Sequence, residues 1–452
     1  MRLVKKIFPA FLFLFVHTVQ AQNLGPSIYS RPAIGDVSDV SFSRNQGMGG
    51  AGVGLSHNFQ LNSLNPAALG TLKYTNFEFG VAGKRNAINS SGAKQTGLTG
   101  GIQHLSLAFP IHKRFVTQFA AKPFSTVNYK DAFETQVNEK LFKTSYVGEG
   151  GLSEIYWNNA FNYKEWLMIG LNTGIVLGQT THELVQSETS KSQIATTRQR
   201  NEKHLRLSPG ILITKEFKSF KKVAEILPID TTKLKDSVGL KKIISTPPVN
   251  WFVGFGATGS FFNTLSAEEE LTQKTVRYEN SSSSSYSYKK DTLSSATLSN
   301  YSLPNSIKVG LSFYKPNKIT FALDYSITSW ADFKYSEQSN IPISYRDQQT
   351  IAFGAEYIPY YGSTTFYKRI AYRGGLNYST LPYVIAGQNI NQIQASIGAG
   401  FVLPKSSGVS LNTSVTFGQR GTTNDNLAKE NYWLFSVGVV ANTKWFIRRK
   451  HE

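Results

Sequence analysis

Asn431-Tyr-Trp-Leu-Phe-Ser-Val-Gly-Val-Val-Ala-Asn-Thr-Lys-Trp445 decides the fold class of this chain. Trp433, Phe435, Val437, Val439, Ala441, Thr443 and Trp445 share one face of an extended segment. Tyr432, Leu434, Ser436, Gly438, Val440, Asn442 and Lys444 share the other. A period of two is a strand period, because successive strand side chains point to opposite sides. The two tryptophans stand roughly 40 Å apart along a strand, or about 28 Å in height at a 45° tilt. That is close to the ~25 Å apolar band between the aromatic girdles of a membrane β-barrel. A soluble β-sandwich alternates too, but it has no reason to set aromatics at the two ends of an apolar stripe.

The same alternation recurs upstream. Ile319, Phe321, Leu323, Tyr325 and Ile327 oppose Thr320, Ala322, Asp324, Ser326 and Thr328. Val409, Leu411, Thr413, Val415 and Phe417 oppose Ser410, Asn412, Ser414, Thr416 and Gly418. Fourteen segments read as strands: 73–87, 97–110, 114–128, 151–163, 166–186, 194–217, 249–265, 298–314, 318–334, 343–358, 366–380, 389–403, 408–419 and 431–447. Short connections such as Ile111-His112-Lys113, Lys164-Glu165 and Lys315-Pro316-Asn317 alternate with longer polar stretches such as Tyr129–Gly150 and Ala267–Thr297. An even strand count with alternating short turns and long loops predicts an all-β, antiparallel transmembrane barrel. One inner connection, 218–248, is long and basic and reads as an amphipathic helix or a solvated insert.

The N-terminus predicts export. Arg2, Lys5 and Lys6 precede the apolar run Ile7–Val16, and Val19-Gln20-Ala21 offers a small-residue cleavage site. Ten apolar residues make only ~15 Å of helix, half a bilayer core. Residues 1–21 are therefore expected to be a signal peptide, 22–72 a plug or hatch in the lumen, and 73–452 the barrel. Charged residues are only 17%, below the ~25% of soluble chains. Lys and Arg total 48 against 29 acids, and acidic lipid headgroups suit that excess better than nucleic acid in an exported chain. The absence of Cys excludes disulfide scaffolds, thiolate metal sites and Cys nucleophiles.

The motifs carry little catalytic chemistry. Gly47-Met-Gly-Gly-Ala-Gly52 matches a dinucleotide fingerprint in letters only, because no strand precedes it, no helix follows it, and position 72 is Leu rather than an acid. Its glycines read better as backbone packed tightly inside a barrel. The histidines show no ligand spacing, and no nucleophile motif stands out. No catalytic residue, metal or cofactor is expected, and the chain is not expected to be an enzyme. Lys308, Asp324, Glu356 and Arg373 fall on lumen-facing positions of successive strands. They either brace the wall as pairs or line a site for a ligand head group, since buried charges need partners. Pro123, followed by Phe124, interrupts a strand and removes a ladder donor, marking a wall opening or a harmless irregularity.

Two stretches near the N-terminus, Gly47-Met-Gly-Gly-Ala-Gly-Val-Gly54 and Asn65-Pro66-Ala67-Ala68-Leu69, resemble the hatch of the FadL/TodX family of outer-membrane hydrophobe transporters. Leu303–Gly310, Phe321–Tyr325, Thr328–Trp330 and Tyr372–Tyr378 are similar to that family's late strands. The resemblance implies a fourteen-stranded barrel in the outer membrane of a Gram-negative cell, plugged at its N-terminus, that takes up hydrophobic or amphipathic molecules such as long-chain fatty acids. It implies gating positions at Gly49, Gly50, Gly52, Asn65, Pro66 and Ala67. The expected partners are a lipid-like ligand and outer-membrane lipids, with the barrel a monomer. The hatch is also similar to that of PorV-like barrels of type IX secretion, which implies the alternative: a non-transporting subunit or shuttle of a larger outer-membrane complex. Asn65 is further expected to bond backbone near the start of the first strand.

Overall fold

The computed structural model describes residues 27–32, 34–37, 41–90, 93–137, 140–188, 192–217, 250–278, 286–297, 302–333, 343–403, 408–423 and 427–443. The expected signal, the 218–248 insert and Trp445 lie outside the described residues. The described strands are β1 (Asp36–Val37), β2 (Thr75–Ser90), β3 (Ala93–His112), β4 (Phe115–Val137), β5 (Lys140–Lys164) and β6 (Leu167–Glu188). They continue with β7 (Ser192–Phe217), β8 (Trp251–Tyr278), β9 (Tyr286–Thr297), β10 (Ser306–Lys315), β11 (Ile319–Thr328) and β12 (Ile343–Tyr345). The last are β13 (Gln348–Tyr357), β14 (Ala371–Ile385), β15 (Gln388–Val402), β16 (Val409–Gly421) and β17 (Ala428–Thr443).

Fourteen of these form a closed antiparallel wall: β2–β8, β10, β11 and β13–β17. The ring shuts where β17 pairs with β2 and β8 pairs with β10. Closure gives the wall strands neighbours on both sides, which a bilayer interior demands because it offers no partners, with one local gap between β3 and β4. Among the described residues no helix is long and apolar enough to cross a membrane.

Register explains the apolar stripe. Leu311 pairs with Leu323, Leu323 with Phe353, and Phe353 with Leu376. Phe417 pairs with Trp433 farther round, and all of these side chains face outward. Val437 is 39% exposed while its neighbour Ser436 is 2% exposed, so the two faces of β17 are those read from the sequence. An outward apolar band on a closed ring is a lipid-facing surface. Val437 sits at the middle of β17, so Val437→Arg should cost about 2–4 kcal/mol in a lipid refolding titration. A loss below about 1 kcal/mol would place Val437 away from the bilayer midplane.

The expected loops are corrected by the structure. Tyr129–Gly150 and Ala267–Thr297 are largely strand: β4 and β5 pair from Val137↔Lys140 downward, and β9 folds back on β8. Strands β4–β8 run 22–28 residues, where a membrane crossing needs ~9–11. Their far halves stand beyond the bilayer as a sheet with β9 on its edge. Several boundaries also shift. The 366–380 segment opens with a helical turn, Phe366–Arg369, before β14. Of the described residues of the 298–314 segment, those from Ser306 form the strand; the 318–334 strand ends at Thr328; and the 343–358 segment is divided into β12 and β13.

Candidate functional site

Glycines of the wall let the N-terminal segment into the ring. A Cβ on Gly170 or Gly210 would collide with Pro66, Ala67 or Asn65, and one on Gly256 with the Val53 carbonyl. One on Gly354 or Gly375 would strike Met48 or Gly49. Gly170 faces Gly210 across β6–β7, and Gly354 faces Gly375 across β13–β14, so the bare patches come in pairs. Glycine inside a strand marks such a close approach. The N-terminal segment contributes a buried helical turn, Ser43–Gln46, and a 3-10 turn, Pro66–Thr71.

Asn65 caps the second turn, accepting at Oδ1 from the Ala67 N–H at 3.0 Å. Its Nδ2 donates to the carbonyls of Val53 (3.0 Å) and Ile211 (2.9 Å). The anchor is therefore mid-wall on β7, rather than the start of the first strand. A wall glycine there leaves room for the side chain to reach the ladder. Pro66 fixes one angle at the turn's first position, where no donor is lost. Gly49 donates its N–H to Ser396 Oγ at 2.8 Å, and its positive φ of 68° suits glycine. Gly50 bonds back to the Asn45 carbonyl.

The four inward charges divide into different roles. Glu356 takes Arg44 of the N-terminal segment at 2.8 Å and Arg373 of β14 at 2.7 Å. Arg373 also donates to Asn412 Oδ1 at 2.9 Å. Asp324 Oδ2 accepts the N–H groups of Gly52 (2.6 Å) and Val53 (2.9 Å). Asp324 and Lys308 both line the lumen cavity. Two of the four thus clasp the N-terminal segment directly, and Arg44, which no spacing in the sequence singled out, completes the set.

Above this layer lies a cavity of about 270 Å³. Its lining mixes Ile34, Val37, Phe124, Phe262 and Trp330 with Lys84, Lys122, Arg206 and Arg420. Glu154, fully buried, serves Arg206 at 2.7 Å and Lys122 at 3.8 Å. Arg420 is held by Glu430 (2.6 Å), Asp36 (2.8 Å) and Ser27 (2.6 Å). Burial disfavours the Asp36 charge, but the Arg420 guanidinium and the Lys84 ammonium outweigh it and hold the carboxyl below the usual range. Toward the long-strand end, Ile34, Leu152, Val176, Leu303, Trp330 and Phe333 pack into one apolar cluster.

Pro123 sits at a break in the wall. The β3–β4 ladder stops at Leu105↔Ala121, and beyond it β4 pairs, among the described residues, with β5 and β1. The β4–β5 register slips between Pro123 and Ser125, leaving Phe124 as a bulge that turns into the cavity lining. The two residues of β1 pair with Ser125 and Thr126 on the vacated edge. The sequence located the irregularity but gave no sign that the N-terminal segment covers it.

A closed fourteen-strand wall around an N-terminal segment is a fold this chain shares with solved outer-membrane channels. The likeness extends over whole chains. The Pseudomonas putida toluene transporter TodX is 13% identical and matches 91% of this chain and 100% of its own, with a TM-score of 0.55. The Ralstonia pickettii toluene transporter TbuX is 12% identical over 89% and 98%, at 0.54. A Pseudomonas aeruginosa FadL homologue is 11% identical over 90% and 99%, at 0.54. No curated protein matches the chain. A family model described as BamG matches residues 3–231 and 249–452, so the chain belongs to the BamG family.

Proposed function

We propose that the protein is an outer-membrane channel that admits hydrophobic or amphipathic small molecules. The observation that carries this is the notch beside Pro123: a gap in the β3–β4 ladder leads from a partly apolar cavity toward the bilayer. A hydrophobe crosses a wall gap into lipid without entering water, whereas a continuous ladder would force it down a hydrated lumen. The two toluene transporters of the same fold make apolar cargo the natural class. Fatty acids are one candidate cargo within it. The short turns then face the periplasm, the long strands face the exterior, and residues 22–72 act as the plug.

The sheet projecting from β4–β9 favours a second reading. Beyond the bilayer its outer edges, on β4 past Asn128 and on β9, have no strand partner among the described residues, an edge that a simple pore has no use for. Under that reading the barrel is a subunit of a larger complex. Mass spectrometry of the barrel purified in mild detergent separates the two. A lone barrel releasing a bound apolar or amphipathic molecule is the expected result. A stoichiometric protein partner and no small molecule would replace the first reading with the second.

A further inference from the structure

On one side of the ring the wall is short. Strands β10, β11 and β13 have 10 residues each, which gives about 24 Å of height at ~3.4 Å per residue and a 45° tilt. That matches the ~25 Å apolar band, so both ends of these strands stand at headgroup level. At the short-turn end the outward pair Tyr357 and Tyr372 marks this level, and Lys318 Nζ lies 5.1 Å from the Tyr357 ring centre. The connection from β13 to β14 starts there. The Ile358 N–H donates to the Lys318 carbonyl at 2.8 Å, and Lys318 Nζ donates to the Pro359 carbonyl at 2.6 Å. The helical turn of this connection, Phe366–Arg369, contains no buried residue. Tyr360 is 63% exposed, Tyr367 59% and Phe366 51%. The turn is nonetheless fixed. The Tyr360 N–H donates to the Lys368 carbonyl at 2.7 Å, Tyr372 Oη donates to the Tyr367 carbonyl at 3.1 Å, and the Phe366 ring stacks on Phe401.

We infer that this turn is a docking surface for an anionic phospholipid of the periplasmic leaflet, with the rings against the glycerol and upper acyl chains and Lys368 and Arg369 on the phosphate. Exposed rings held in place by backbone bonds gain nothing from water, whereas the headgroup boundary takes amphipathic rings by preference. Charge selects the lipid. Residues 315–319 and 357–372 hold Lys315, Lys318, Lys368 and Arg369 and no acid. A zwitterionic headgroup brings its own ammonium into this field, and a net-negative one does not. Arg369 Nε is buried yet has no hydrogen-bond partner among the described residues. A phosphodiester supplies acceptor oxygens in the geometry that a planar guanidinium favours. This inference rests on the orientation used in the uptake reading, with the short turns toward the periplasm, and names the lipid that this rim holds.

In native mass spectrometry of the delipidated full-length protein, phosphatidylglycerol should bind about tenfold more tightly than phosphatidylethanolamine, because two cations near the membrane surface favour the anionic headgroup. Lys368→Gln combined with Arg369→Gln should bring that ratio below about twofold. Lys94→Gln combined with Lys429→Gln, which removes the same charge at the opposite ends of β3 and β17, should leave it unchanged. The chain lacks Cys, so Tyr367→Cys accepts a single label. A nitroxide there, in nanodiscs containing phosphatidylglycerol, should report headgroup depth from its collisions with oxygen and with a water-soluble nickel chelate. Equal binding of the two lipids by wild type, an equal loss from either charge pair, or a nitroxide wholly in water would overturn the docking surface and leave uptake standing. On intact cells, a polymer-linked maleimide too large for porins should not reach Tyr367→Cys. Reaction there would turn the short turns outward and overturn the orientation that the uptake reading uses.

Discussion

Glu356→Ala should destabilise the folded barrel by about 3–5 kcal/mol, since removing one member of a buried ionic set strands its partners. Two guanidiniums converge on this carboxylate, Arg44 at 2.8 Å and Arg373 at 2.7 Å, and all three side chains are less than 10% exposed. The carboxylate does more than neutralise them. It ties the helical turn 43–46 to β13 and β14, so its loss loosens the N-terminal segment as well as the wall. Glu356→Gln keeps the shape and one acceptor and should cost less. Adding Arg44→Met to Glu356→Ala removes one of the two stranded cations and should recover part of the loss. Urea titrations in lipid of wild type, Glu356→Ala, Arg44→Met and the double variant measure the coupling. Additive costs would show that lumen water solvates these charges and that the clasp has little strength.

This cluster also shows what the sequence could and could not reveal. Glu356 and Arg373 were visible as charges on inward positions because alternation assigns a face to every strand residue. Arg44 was not, because it lies in a segment with no period, where a side chain's direction depends on how the backbone is threaded through the ring. The wall glycines Gly170, Gly210, Gly354 and Gly375 stand on inward positions, but nothing in the local pattern singled them out. Their pairing across strands requires the register, which local pattern does not supply. The long outer strands were missed for a related reason. Beyond the bilayer the outer face of β4–β8 meets water instead of lipid, and the inner face mixes apolar residues such as Val127, Tyr129 and Tyr146 with buried polar ones such as Arg200 and Glu202, so residues such as those of 129–150 lose the apolar contrast that marks a membrane strand. In the membrane-spanning halves the contrast is forced by lipid, and there Trp433 to Val439 predicted the outward face correctly.

Deleting Gln22–Leu61 while keeping residues 1–21 should convert a closed barrel into a steadily conducting pore. A fourteen-strand ring is wider than the eight-strand barrels that side chains alone can fill, so its lumen needs another occupant. In this structure the occupant is peptide. Met48 and Gly49 lie on the glycine patch of β13–β14, Val53 on that of β8, and Pro66 and Ala67 on that of β6–β7. The deletion removes the first two contacts and keeps the third, so the wall retains its Asn65 anchor at Ile211 while the centre empties. It also takes away Ile34 from the apolar cluster with Trp330 and Phe333, and β1 from the notch edge. Water and small hydrophilic solutes should then pass, read as single-channel current and as dye leak from proteoliposomes. A folded deletion variant that stays as silent as the parent would show that the Trp330–Phe333 cluster seals the barrel without the N-terminal segment. The plug reading would then fail, even though the segment fills the lumen.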